Sequence, residues 1–146
     1  MKTKLLNSQP GAKTYAVVFD KNDEVIKGLT DFATQQNLEG SQITAIGAFS
    51  DMVLGYFDRE RKDYKKIPIN EQVEVLSLIG DIAIVEKTGK HQVHAHVVVG
   101  KSDGTAHGGH ILEAHVWPTL EVIITENPRH LQRKSDPETG LALISL

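Results

Sequence analysis

The 146-residue sequence contains no cysteine, few aromatic residues and no long apolar run. The absence of cysteine excludes disulfide bonds, thiolate zinc sites, iron–sulfur clusters and cysteine nucleophiles. No segment approaches the roughly 18 consecutive apolar residues of a membrane-spanning helix. Residues 1–7 contain two lysines but only two adjacent apolar residues, which is not the pattern of a secretory signal. We therefore expect a cytoplasmic protein with no membrane partner.

An excess of positive charge is also missing. Sixteen basic residues stand against nineteen acidic ones, which gives a formal net charge of −3. Proteins that bind the phosphate backbone need a basic surface, so any DNA contact would depend on a local patch. The densest patch, residues 59–66, is interrupted by acidic residues, as is typical of a solvated loop. A symmetric oligomer would multiply this patch, so DNA stays an alternative partner.

The length suits one domain and is short for two. No internal repeat and no linker rich in Pro, Gly or Ser divides the chain. We therefore predict a single domain over residues 1–146, with a core at about residues 12–126 and a C-terminal tail at residues 127–146.

The residue pattern predicts one helix among many strands. Asn22 is the expected N-cap, apolar residues recur at helical spacing over residues 25–33, and Gly40 is the expected stop. Elsewhere the apolar period is close to two, which is typical of strands. The predicted strands are residues 13–20, 42–49, 52–58, 72–78, 81–86, 92–99, 120–125 and 141–145.

Many strands joined by short turns, with one helix, favour an α+β fold. The sheet is expected to be largely antiparallel, because parallel pairs need long crossover connections. One helix cannot cover both faces of such a sheet. The uncovered face must therefore be polar, curl into a half-barrel, or be buried by a partner.

The seven histidines carry the clearest chemical signal. His94 and His96 stand two residues apart in a predicted strand, so both side chains point to one face and the alternating apolar residues to the other. A turn at residues 102–104 lets the chain fold back on this strand. A Gly-Gly pair then allows unusual dihedral angles and a close backbone approach just before His110. The sequence therefore predicts that His94, His96 and His110 bind one metal ion.

Three imidazole ligands with an open fourth position are typical of a catalytic or ligand-binding zinc site. Imidazole also suits nickel, copper or iron, so Zn²⁺ is expected but other first-row divalent metals fit the same ligands.

The other histidines have weaker patterns. His91 borders a turn, and strand alternation places it on the face opposite to His94 and His96. It is expected to be exposed. His107 could replace one of the three as a metal ligand, or it could form a hydrogen bond to a ligand and orient it. His115 could line the pocket, although a buried, hydrogen-bonded residue fits better. His130 lies in a polar stretch and is expected to be solvated.

An enzyme would need a proton-transfer group near the metal. Glu113, three residues after His110, is the candidate catalytic residue, and Glu74 and Glu121 are alternatives; each could simply face solvent. The motifs of serine nucleophiles, dinucleotide-binding turns and phosphate-binding loops are absent.

From about Thr14 to Glu126 the chain resembles the plants-and-prokaryotes-conserved (PPC) domain family. The most specific motifs are His94-Ala95-His96, the Ser-Asp-Gly turn at residues 102–104, and Gly-Gly-His-Ile-Leu-Glu at residues 108–113. Residues 44–49 and 73–80 support the resemblance.

The resemblance implies an α+β fold with an antiparallel sheet, assembled as a homotrimer. It also implies zinc at His94, His96 and His110, and a fold relationship to acetolactate decarboxylase, a metal enzyme. Plant members bind AT-rich DNA through a separate Arg-Gly-Arg motif, and that triplet does not occur here.

Three functions follow as hypotheses. The first is a zinc-binding protein that holds water or a small anionic ligand at the metal in a ligand-binding or regulatory role. The alternatives are a DNA-binding protein and, with less support, a metal-dependent lyase-type enzyme.

Overall fold

The computed structural model describes residues 1–9, 11–127 and 129–146. Within these residues the chain forms nine strands and one helix. In chain order they are β1 (Lys2–Gln9), β2 (Ala12–Phe19), α1 (Val25–Gln36), β3 (Gly40–Asp58), β4 (Asp63–Ile69), β5 (Val73–Val85), β6 (Lys90–Gly100), β7 (Ala106–Glu126), β8 (Gln132–Ser135) and β9 (Ala142–Ser145).

All nine strands belong to one sheet, in the order β1-β2-β7-β3-β5-β8-β9. Strand β4 pairs with β3, and β6 pairs with both β5 and β7. Because β3 also pairs with both β5 and β7, these four strands form a closed circuit of pairings. Among the described pairs only β5 and β8 run parallel. The predicted α+β fold with a largely antiparallel, curled sheet is confirmed.

Helix α1 covers the core face of the sheet with its apolar side, through Val25, Leu29, Phe32 and Ala33. It begins at Glu24, whose side chain accepts hydrogen bonds from the backbone N–H groups of the first turn, and not at the predicted cap Asn22. Asn22 instead has a positive φ of 68°, in the turn that precedes the helix.

The helix ends at Asn37, and the predicted stop at Gly40 is wrong. Asn37 adopts the left-handed conformation that suits a C-cap, and asparagine tolerates it better than most residues. Gly40 is the first residue of β3, where a Cβ atom would lie 2.5 Å from the backbone oxygen of Arg129. Glycine is therefore needed at this position because β3 passes close to the backbone at Arg129.

The predicted strands at residues 42–49 and 52–58 form one strand, β3, and those at residues 72–78 and 81–86 form one strand, β5, so the expected turns at Ser50-Asp51 and Gly80-Asp81 are absent. Gly80 is needed because a Cβ atom there would collide with the backbone oxygen of His94 on β6. In β3, register shifts against β7 replace the predicted turn. Glycine and polar residues therefore mark close approach and bulges here, not chain reversal.

Four parts of the sheet lack a strand prediction. Strand β1 is exposed along its whole length and so carries no alternating apolar pattern. Residues 59–66, predicted as a loop, contain the start of β4. Strand β7 begins at Ala106, well before residue 120. In the C-terminal hairpin, β8 lacks a prediction, whereas its partner β9 matches the strand predicted at residues 141–145.

None of the described helical residues forms a span of the length and apolarity that a bilayer crossing requires.

Candidate metal centre

The three histidines of the predicted metal site lie together on the exposed face of the β6–β7 hairpin. His96 is directly opposite His110 in the antiparallel ladder, and His94 precedes His96 by two residues on the same face. One ligand atom from each ring lies within 4.8 Å of the other two. His94 Nε2 and His96 Nε2 are 3.2 Å apart. The arrangement gathers imidazole nitrogens as a single ion would require.

The glycines before His110 serve close packing. A Cβ atom at Gly109 would lie 3.0 Å from the backbone oxygen of Gly55, and one at Gly108 would lie 3.1 Å from that of Val97. Neither glycine has a positive φ, so the predicted unusual dihedral angles are wrong. The predicted close backbone approach is confirmed.

Tyr64 of β4 holds His110 from the side, a contact that the sequence did not reveal. The two rings stack with centroids 4.8 Å apart and an interplanar angle of 22°. Gly55 makes room for this stack, since a Cβ atom there would lie 2.7 Å from Tyr64 Cδ1. Burial raises the pKa of the Tyr64 hydroxyl.

Two of the three imidazoles, those of His96 and His110, are held in the neutral form that binds metals. Burial, reinforced by the charges of His94, His96 and Arg133, lowers the pKa of His110 to about 4. Burial and then the charge of His94 lower the pKa of His96. Among the described residues, the buried Nδ1 of His110 has no hydrogen-bond partner. A soft-to-borderline cation such as Zn²⁺ fits this all-nitrogen donor set.

An acidic residue and a buried arginine lie behind His94. Asp81 is opposite His94 in the β5–β6 ladder, with Oδ2 3.7 Å from His94 Nδ1. Arg133 Nη2 donates to Asp81 Oδ1 at 2.5 Å. Burial acts to raise the pKa of Asp81, but the contacts with His94 and Arg133 outweigh it, and the net pKa is lowered. Neither residue was predicted from the sequence.

The remaining histidines lie outside the cluster. His91 is half-buried, with Nδ1 3.4 Å from Thr34 Oγ1 of α1, so its predicted exposure is wrong. His91 lies on the core face of β6, opposite to the face that carries His94 and His96. Its ring therefore points towards the helix and away from the cluster. His107 is exposed on β7, and His130 is exposed as predicted.

His115 belongs to a separate group with Asp51 and Glu113. It is half-buried and its Nδ1 lies 2.7 Å from Asp51 Oδ1, which agrees with the predicted hydrogen-bonded histidine. Glu113 is exposed, with Oε1 3.8 Å from His115 Nε2, and it is not among the ligand atoms that converge. Glu74 and Glu121 are also exposed.

Apolar side chains line the outer face beside the histidines. Successive strand pairings place His110, His96, Ile79, Thr44 and Ile123 in one row across the sheet. Two shallow grooves of about 240 and 310 Å³ flank His96, and Ile79 lines both. An apolar wall therefore adjoins the three histidines.

Comparison with known sequences adds a family and one curated relative. The sequence model of the Plants and Prokaryotes Conserved (PCC) domain matches residues 6–128. The bifunctional protein GlmU of Synechococcus sp. (strain JA-3-3Ab) is 30% identical over 115 residues. The chain spans only 17% of the length of GlmU, so the similarity concerns a part of that protein.

Several solved structures match nearly the whole chain. A plant- and prokaryote-conserved protein of Pyrococcus horikoshii is 30% identical, with a TM-score of 0.85 over 99% of this chain and 95% of that one. A metal-containing protein of Archaeoglobus fulgidus is 31% identical, with a TM-score of 0.84 over 98% and 99%. A proposed DNA-binding protein of Ralstonia eutropha is 28% identical, with a TM-score of 0.85 over 98% and 96%.

The expected fold relationship to a decarboxylase is confirmed. Alpha-acetolactate decarboxylase of Bacillus subtilis is 14% identical, with a TM-score of 0.53 over 88% of this chain and 58% of that enzyme. Likeness at this identity concerns the fold alone, since one fold hosts many chemistries.

Proposed function

Because the chain belongs to the Plants and Prokaryotes Conserved domain family, we propose that it binds a zinc ion through His94, His96 and His110. The observation that carries the proposal is the convergence of three imidazole nitrogens within 4.8 Å. The lowered pKa values of His96 and His110 support it, because neutral imidazole is the metal-binding form. The metal-containing relative from Archaeoglobus supports it further.

Three protein ligands would leave a coordination position for water or for a small anionic ligand such as a carboxylate. Bound zinc would supply Lewis-acid polarisation of that ligand. The side chain of Ile79, which lines both grooves beside His96, would contact the apolar part of the ligand. The function proposed is therefore binding of a small anion at a metal centre, in a ligand-binding or regulatory role.

We also propose that the protein is a homotrimer whose subunits bury the apolar outer face. Ile79 is 59% exposed, Ile46 60% and Leu76 56%, and together with Val98 and Ile123 they form an apolar surface next to the histidines. The single helix covers the other face, so nothing in the described part of the chain covers this one. Burial of exposed apolar side chains drives association. The metal centre would then lie near a subunit boundary.

The metal proposal is tested by metal analysis and zinc titration of the purified protein. We expect about one zinc ion per chain in the wild type. His94→Ala should lose most of the affinity, while His107→Ala, which removes an exposed histidine outside the cluster, should keep it. Equal zinc binding by the wild type and His94→Ala would contradict the proposal.

DNA binding is a second candidate, favoured by the similarity to the Ralstonia protein. The basic residues at 59–66 lie at the exposed end of the β3–β4 hairpin, where a trimer would present three copies. Binding to an AT-rich duplex, measured by fluorescence anisotropy, should then weaken steeply as salt increases. An unchanged anisotropy at low ionic strength would exclude this function.

A lyase-type reaction with Glu113 as the proton-transfer group is the least supported candidate. Glu113 lies beside His115 and is exposed. An assay of 2-keto and 2-hydroxy acids with zinc-loaded protein tests it, and turnover that Glu113→Gln abolishes would support it.

A further inference from the structure

The C-terminal hairpin β8–β9 lies beyond residues 6–128, the part that the family model matches, yet it contacts Asp81, the residue opposite His94 in the β5–β6 ladder. The hairpin makes this contact through Arg133 of β8, whose side chain is only 4% exposed. An arginine is rarely buried to this degree unless its charge is paired. Here the partner is Asp81, and the contact therefore indicates a specific role for the hairpin.

The fold holds this guanidinium at two points. Nη2 donates to Asp81 Oδ1 at 2.5 Å, and Nη1 donates to the backbone oxygen of Ala142 on β9 at 2.8 Å. Parallel pairing of β8 with β5 places Arg133 next to Val85, four residues along β5 from Asp81. Both strands of the hairpin are therefore needed to fix Arg133.

The other oxygen of Asp81 faces the metal centre. Oδ2 lies 3.7 Å from His94 Nδ1, while His94 Nε2 is the nitrogen that lies 3.2 Å from His96. A carboxylate near Nδ1 favours the tautomer with the proton on Nδ1 and the lone pair on Nε2. That tautomer presents the lone pair of His94 to the ion.

We propose that Arg133 is a positioning residue for His94, acting through Asp81, so that the C-terminal hairpin sets the metal affinity of the site. The inference rests on the proposed zinc site. Arg133 holds the Asp81 carboxylate with one oxygen towards His94 Nδ1. Without Arg133 this carboxylate turns towards solvent, since the Asp81 side chain is 27% exposed. By linkage, metal binding also strengthens docking of the hairpin.

The first test is zinc affinity, measured by competition with a chelator. We expect Arg133→Met to weaken binding about 10- to 100-fold, the range typical of groups that orient a metal ligand. Lys134→Met is the matched control, because Lys134 is the next residue on β8 and its side chain is half-exposed in a pair with Glu86. Lys134→Met should bind zinc as the wild type does.

Arg133→Lys keeps the charge and should recover part of the affinity. Arg133→Met leaves Asp81 as an uncompensated charge, which threatens folding. The double variant Arg133→Met with Asp81→Asn removes both charges and keeps the test informative. It should weaken zinc binding about as much as Asp81→Asn alone, because both residues act through one contact.

The second test is the tautomer of His94 in the metal-free protein, read from ¹⁵N chemical shifts. The wild type should carry the proton on Nδ1, and Arg133→Met should shift His94 towards the Nε2-protonated form. A folded Arg133→Met protein with wild-type zinc affinity and an unchanged tautomer would overturn the inference. A wild type that binds no zinc would overturn the proposed function, and the tautomer would still decide whether Arg133 positions His94.

Discussion

His96 of β6 and His110 of β7 are directly opposite each other in the antiparallel ladder, with ring centroids 5.4 Å apart. Opposite residues share a face of the sheet, so this pairing alone brings two imidazoles together, and His94 adds the third. A slip of one residue would turn His110 towards the core. The short turn between β6 and β7 opposes such a slip. In this turn Lys101 N donates to Thr105 O at 2.9 Å, and Gly104 has the positive φ of 81° that the turn needs.

Zinc should stabilise the folded protein. A ligand that binds only the native state adds about 2.7 kcal/mol at a free concentration 100 times its Kd. We expect the thermal midpoint to rise with zinc and to return when a chelator is added, and the rise to vanish in His110→Ala but persist in His107→Ala. Scanning calorimetry with and without zinc measures this, and an equal rise in His110→Ala would argue against the assigned ligands.

Gly55→Ala should disturb the histidine cluster by displacing Tyr64 from His110. The added methyl would lie 2.7 Å from Tyr64 Cδ1, and the ring could not keep its stack on His110. Overpacking of this kind costs about 1–3 kcal/mol, and zinc affinity should fall with it.

Removal of the Tyr64 ring relieves that collision, so Tyr64→Ala should lessen the effect of Gly55→Ala. Urea denaturation of the four proteins of this double-mutant cycle measures the coupling. Additive changes in the free energy of unfolding would show that the two residues do not interact.

The Asp51–His115 pair should make stability depend on pH. The hydrogen bond to Asp51 raises the pKa of His115 above 6.5. Burial acts to raise the pKa of Asp51, but hydrogen bonds from His115 and Ser50 outweigh it and lower that pKa below 3.8. The His115 contribution is therefore full below pH 6.5 and is lost as the pH rises through its folded pKa. The Asp51 contribution is present above pH 3.8 and is lost as the pH falls through its folded pKa.

Asp51→Asn should consequently destabilise the protein most at about pH 5–6 and much less at about pH 9. Because both side chains are more than a third exposed, the loss should stay below about 1 kcal/mol. Urea denaturation at the two pH values measures it, with Glu113→Gln as a control of smaller effect, since that carboxylate is 3.8 Å from the ring. A cost of Asp51→Asn that is the same at both pH values would contradict the ion pair.

A charge on the apolar outer face should break the proposed trimer. Ile79→Lys places an ammonium group on the surface that association would bury, whereas Tyr56→Lys changes an exposed residue next to the β4 strand. Light scattering during size exclusion should give a trimer for the wild type and Tyr56→Lys, and a monomer for Ile79→Lys. A wild-type monomer would refute the trimer.

The parts of the site that sequence reasoning found are local in the chain. His94 and His96 share a strand, and one short turn separates them from His110, so strand parity and turn chemistry suffice to predict that they meet. Asp81 pairs with His94 across the neighbouring β5–β6 hairpin, whereas Tyr64 and Arg133 reach the site through strand pairings between distant segments. Tyr64 lies in a charged stretch without an apolar pattern, and Arg133 depends on the parallel pairing of β8 with β5. No local signal could place them.

The same distinction holds for the fold. Apolar periodicity found the helix and most of the central strands, because burial imposes it on them. It missed β1, which is wholly exposed. It divided β3 and β5 at Ser50-Asp51 and at Gly80, since a bulge or a close strand crossing uses the same small and polar residues as a turn.

Anomalous X-ray diffraction across the zinc absorption edge would show directly whether His94, His96 and His110 hold a metal ion. We expect one anomalous peak per chain, present above the edge and absent below it, within bonding distance of a nitrogen of each of the three rings. A crystal grown with zinc that shows no peak among these rings, or a peak only beside His115 and Glu113, would contradict the proposed site.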